Sequence, residues 1–133
     1  MTRFAKLADG QSLVELALTL PVLLLLAALI VTLSLVGVAR LATENAASEG
    51  ARTLALTNDD GRATATAIAA AAPLHADLLA VRIEPTSRSL RPRGSLARVV
   101  VAYRVSLPLA FAGLGDVRVE GIGVRRMEYL DTP

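Results

Sequence analysis

The sequence predicts an α+β protein: a long N-terminal transmembrane helix, then a small domain with one helix and a three-stranded antiparallel sheet. Three observations carry this. Residues 16–39 contain no Asp, Glu, Lys, Arg or His. The next stretch is rich in helix formers and meets no Pro until Pro73. Residues 79–127 alternate apolar and polar residues with a period of two, in three separate runs. The 133 residues leave room for one small domain plus an anchor.

The uncharged run reads LALTLPVLLLLAALIVTLSLVGVA. As a helix it reaches about 36 Å, enough to cross a hydrocarbon core of about 30 Å with some tilt. It is too long for the core of a secretory signal peptide. The rest of the chain is too short to bury it on all sides. Thr19, Thr32 and Ser34 can return their hydroxyls to helix carbonyls, and Pro21 sits where it can kink the helix. Lys and Arg are nearly balanced across the two ends; the short basic leader with Arg3 and Lys6 favours the N-terminus inside.

Beyond the span, RLATENAASEGARTLAL continues the helix, giving one element over residues 11–56. Ala42, Ala46 and Gly50 recur every four residues, which fits either a small-residue stripe that another helix or a sheet can approach closely or a plain Ala-rich solvated helix. Thr57-Asn58-Asp59-Asp60-Gly61 is a turn, and its side chains can cap a second helix from Arg62 to about Ala72, ended by Pro73. That helix is mostly Ala with Ile68, so it needs close packing on a sheet.

Strands are expected at Leu79–Glu84, Arg98–Leu107 and Val117–Met127. In the second, Val99, Val101, Tyr103, Val105 and Leu107 share one face. Arg98, Val100, Ala102, Arg104 and Ser106 take the other. Gly121 and Gly123 read as a weakening of the third strand, with a bulge as one outcome.

The composition narrows the chemistry. There is no Cys, so disulfides, thiolate metal sites and cysteine catalysis are excluded. A net charge of +2 and 3% aromatic residues do not describe a nucleic-acid binder. His75 is the single histidine; with Asp77 it makes one pair and not a metal site. No acid, base and nucleophile stand in a catalytic order, so no enzyme, cofactor or small-molecule substrate is expected. Arg88, Arg91, Arg93 and Arg98 cluster around one loop and offer a surface to anionic headgroups or an acidic partner, against a plain solvated loop. Pro108–Leu114 is an unusually apolar loop, either packed on its own domain or a contact surface.

The N-terminus holds the most specific signal. Gly10 is followed by Gln11-Ser12-Leu13-Val14-Glu15, and then by the Leu-rich span with Pro21. On its own, Ser12 to Glu15 also fits a capping box at a helix start. Taken together, Gly10 to Leu18, Pro21 and the span resemble the start of a type IV prepilin-like protein, more narrowly a TadE-like pseudopilin. AASEGARTLAL and the closing GVRRMEYL are also similar to that family, while Leu16 stands where an aromatic is common.

The resemblance implies a leader of residues 1–10, cut after Gly10 by a prepilin peptidase so that Gln11 becomes the N-terminus and Glu15 the fifth residue. Loss of the leader removes two cations and one anion, leaving a net charge of +1. It also implies a single-pass protein of the inner membrane with its small domain, residues 57–133, outside the cytoplasm. Its role there is that of a minor pseudopilin in a tight-adherence (Tad, Flp-type) pilus or secretion system. Partners would be the peptidase, other pseudopilins and the assembly platform, with Glu15 as an assembly charge. The alternative is a membrane-anchored envelope protein of the same family with no filament role.

Overall fold

A computed structural model describes residues 3–108, 113 and 115–129, with side chains from Leu13 onward. It has the predicted composition of elements. Helix α1 runs Arg3–Thr57, helix α2 Asp60–Ala70, and strands β1, β2 and β3 are Leu79–Glu84, Leu96–Ser106 and Asp116–Arg126. Single 3-10 turns at Ala76–Leu78 and Arg88–Leu90 flank β1. The chain divides into two compact units, residues 1–34 and 35–133.

The first unit is the N-terminal part of α1. From Leu13 to Ser34 its large apolar side chains are exposed, Leu18 at 70%. Only helix hydroxyls find partners inside it: Thr19 Oγ1 donates to the Glu15 carbonyl at 2.9 Å, Thr32 to Ala28 at 2.7 Å and Ser34 to Ile30 at 2.9 Å. Those bonds return each hydroxyl to the helix, as an apolar solvent requires. The helix continues through Pro21, whose missing N–H deprives the Ala17 carbonyl of its usual donor. This is the one described helix long and apolar enough to cross a membrane.

In the second unit, β2 is the central strand, antiparallel to both neighbours in the order β1-β2-β3. Its predicted apolar face is the core: Val99 and Val101 are fully buried, and Tyr103, Val105 and Leu107 nearly so. Val100 and Ala102 are buried too, although they point to the other face. The register explains it, since Val100 lies between Arg82 and Ile122, and Ala102 between Ala80 and Glu120. A central strand is covered from both sides by its neighbours' side chains, which a one-strand pattern cannot reveal.

The C-terminal part of α1 lies on this sheet through its small residues. Ala46, Ala47, Ala51 and Leu54 are buried with Val99, Val101 and Met127. Gly121 and Gly123 are the points of closest approach. A Cβ on Gly121 would collide with the backbone of Thr43 and Glu44, and one on Gly123 with the backbone of Ala47 and Ser48. The expected bulge is therefore replaced by a different role. The pairing runs unbroken through Val101↔Gly121 and Val99↔Gly123, and the glycines serve to let helix backbone rest on strand backbone.

Helix α2 begins as predicted from the turn cluster, two residues earlier than Arg62. Asp59 is its N-cap, accepting from the Arg62 N–H at 3.1 Å. Its buried face is Ala63 and Ala67, and Ile68 instead lies toward the outside. Ala63 and Ala67 flank Gly50, where a Cβ would stand 2.9 Å from the Ala67 Cβ. Alanine is what fits between two such close elements.

Candidate functional site

Gly10, Gln11 and Glu15 all lie within α1, which is already helical from Arg3. A capping box needs Ser12 at a helix start, so that reading of Glu15 does not hold in this chain. Glu15 is exposed on the helix among exposed Leu13, Val14, Leu16 and Leu18. Its backbone carbonyl accepts the Thr19 hydroxyl, and among the described residues its carboxylate makes no ion pair. A carboxylate on such an apolar surface is costly in lipid and becomes much less so beside a cation.

The small-residue stripe is used within the chain. Ala46 is fully buried in the core, Ala42 is at the edge of burial, and Gly50 is buried against Ala67 and Val99. The stripe is thus a contact surface, and what it contacts is the chain's own sheet and second helix.

The basic loop separates into three different environments. Arg93 is exposed. Arg88 is also exposed and stands 3.7 Å from Asp59. Arg91 corrects the expectation of a shared basic surface, because it is completely buried. Its guanidinium lies 2.7 Å from the Asp60 carboxylate. Neither terminal nitrogen is aligned for a hydrogen bond, so the contact is an ion pair by distance alone. Arg91 Nε reaches the Ser87 carbonyl at 3.4 Å, and the Tyr129 hydroxyl donates to the Arg91 carbonyl at 3.1 Å. Arg91 thereby joins the loop before β2 to the start of α2 and to the segment after β3. Nothing local in the sequence distinguishes it from Arg88 and Arg93; the informative signal is Asp60, remote in sequence.

The segment after β3 is fastened nearby. Gly94 N–H donates to the Met127 carbonyl at 2.8 Å, Met127 N–H to Ser95 at 2.8 Å, and Glu128 N–H to the Ala55 carbonyl at 2.8 Å. The last bond satisfies a carbonyl near the end of α1. Asp59 is made more acidic at the start of α2. Its carboxyl is held below its ordinary value of 3.8 chiefly by the Arg62 backbone N–H, which with Gly61 N–H and the charges of Arg88 and Arg62 outweighs an opposing desolvation.

His75 and Asp77 are exposed, and no group of three or more His, Asp or Glu is gathered to hold a metal ion among the described residues. Most of the apolar loop at Pro108–Leu114, namely residues 109–112 and 114, lies outside the described residues.

Comparison with known proteins gives one match. The family model of TadE-like proteins aligns with residues 10–52, from Gly10 through Glu15, the uncharged span and the small-residue stripe. Neither curated proteins nor solved structures gave a match. The apolar helix within the matched segment fits a membrane anchor. The matched segment, about a third of the chain, is similar to TadE-like proteins from the glycine before the span to the helix that covers the sheet.

Proposed function

We propose that the chain is a minor pseudopilin of a Tad pilus or secretion system, anchored by α1 and processed by a prepilin peptidase between Gly10 and Gln11. The observation that carries this is the family match beginning at Gly10 and containing Glu15. Glu15 is exposed and makes no ion pair among the described residues, which supports its use as an assembly charge. Once the leader is removed, each copy offers a free α-amino group four residues before Glu15 in its own chain. A neighbouring copy or another pseudopilin can bring that cation to the carboxylate, which makes burial of both in an apolar helix bundle much less costly. The small domain then stands outside the inner membrane. Partners are other pseudopilins and the assembly platform.

The test is filament assembly in a strain with its own peptidase and platform. Deleting the gene should reduce surface filaments, and restoring the natural chain should recover them. Glu15→Gln should reach the membrane in normal amount yet fail to restore filaments. Full filament number without the chain would overturn the proposal in favour of an anchored envelope protein with no filament role. Full restoration by Glu15→Gln would remove the pairing role alone.

A further inference from the structure

Among the described residues, the sheet leaves one long backbone edge without a partner strand. β3 is the outer strand of the order β1-β2-β3, eleven residues long, and its register with β2 is unbroken from Asp116 to Arg126. Every second residue of an edge strand turns its N–H and C=O away from its partner strand, and a long regular edge is a template for another. Shortness, Pro and bulges are the usual protections, and β3 has none of them. What it has is charge, unevenly distributed.

Arg118 is matched by Glu120 at 2.8 Å. Arg125 and Arg126, at the far end, make no ion pair among the described residues. A groove of about 640 Å³ opens beside them, between β3 and the last turns of α1. Arg52 and Leu56 line its helix wall, and its acids Glu49 and Glu128 do not balance its three arginines. Just before the arginines, Ile122 and Val124 are 57% and 47% exposed on the outward face, with exposed Leu96 beside them.

We propose that the β3 edge receives an extended segment of a partner protein as a fourth strand. That segment carries apolar side chains opposite Ile122 and Val124 and carboxylates opposite Arg125 and Arg126. The backbone edge supplies hydrogen bonds, the apolar pair supplies burial, and the arginines select acidic side chains. A second copy of β3 fits this pattern less well. Laid antiparallel about Gly121, it sets Asp116 against Arg126 but Val117 against Arg125. The proposal stands on the sheet domain and does not depend on the pilus reading.

The experiment uses the full chain in nanodiscs of zwitterionic lipid. The probes are peptides alternating Val and Thr that carry two glutamates at one end or the other, and twins with two lysines instead. Residue-resolved amide hydrogen exchange is measured with each. The glutamate peptide should slow exchange at alternate β3 amides and bind about tenfold tighter than its lysine twin. The double variant Arg125→Glu, Arg126→Glu should reverse that preference. No slowing on β3, equal slowing by both peptides, or an unchanged preference in the variant would overturn the proposal. So would slowing that needs only a higher protein concentration, which assigns the edge to a second copy. Slowing by phosphatidylglycerol vesicles in place of peptide would assign it to lipid and overturn it as well.

Discussion

Helix α1 is one continuous element with two different surfaces. Between Leu13 and Ser34 it is built from Leu, Val and Ile, and nearly all of them are exposed. Between Ala39 and Ala55 the residues that pack are Ala, Thr and Gly with a single Leu, and they are buried. Backbone conformation is the same in both. What differs is the neighbour: lipid accepts large, mobile side chains, whereas a sheet lying directly against the helix accepts almost none. Residue size therefore maps environment along this helix better than hydrophobicity does, because both parts are apolar.

The most severe way to break the comparison is to add bulk where backbone meets backbone. Gly123→Val meets the Ala47 and Ser48 backbone, which cannot rotate away as a side chain can. The expected loss is about 3 kcal/mol or more, enough to unfold a small domain, and circular dichroism melting of the detergent-solubilised chain reads it. Next is charge in the lipid part. Leu25→Arg should disfavour membrane insertion by about 2.5–3.5 kcal/mol, measured as the inserted fraction in a glycosylation-tagged translocation assay, while leaving the domain folded.

Smaller and more discriminating is a pair of Gly→Ala changes within the same helix. At Gly50 the new methyl group comes 2.9 Å from the Ala67 Cβ and 3.3 Å from Val99. The domain should lose about 1 kcal/mol. At Gly37 nothing lies within 4 Å, so Ala should raise helix stability by about 0.5–1 kcal/mol. Opposite signs in denaturant midpoints confirm that packing, and not helix propensity, sets residue choice near the sheet. The same sign at both positions contradicts it.

The smallest effect concerns Asp59, where charge and not size holds the start of α2. Its folded pKa lies below the ordinary value of 3.8, so its contribution is fully present above that value and is lost as pH falls below it. Asp59→Asn keeps a capping oxygen but has no charge to lose. Natural and variant stabilities should converge in that acidic window, and a constant gap across it would show that the charge plays no part.

Much of the architecture is legible in residue patterns because each pattern has one physical cause. The uncharged run marks the span, and strict alternation marks β1 and β2, with β1 at Leu79–Glu84 as expected. The misread features all depend on what lies opposite. Gly121 and Gly123 look like strand defects until α1 is placed over them. Arg91 looks like its loop neighbours until Asp60 and Tyr129 surround it. Val100 looks like part of a polar face until β1 and β3 flank it. At the N-terminus the position is reversed. Gly10 and Glu15 are conspicuous by spacing, yet the use proposed for them needs a peptidase and a neighbouring subunit, which a single folded chain does not contain.

In the proposed reading Gly10 ends a leader and Glu15 serves the mature chain. Its most direct test is N-terminal sequencing of the membrane-extracted protein, expressed with and without its prepilin peptidase. A chain beginning at Gln11 only when the active peptidase is present is the predicted result. A chain still beginning at Met1 or Thr2 in a system where the peptidase processes its other substrates would contradict it.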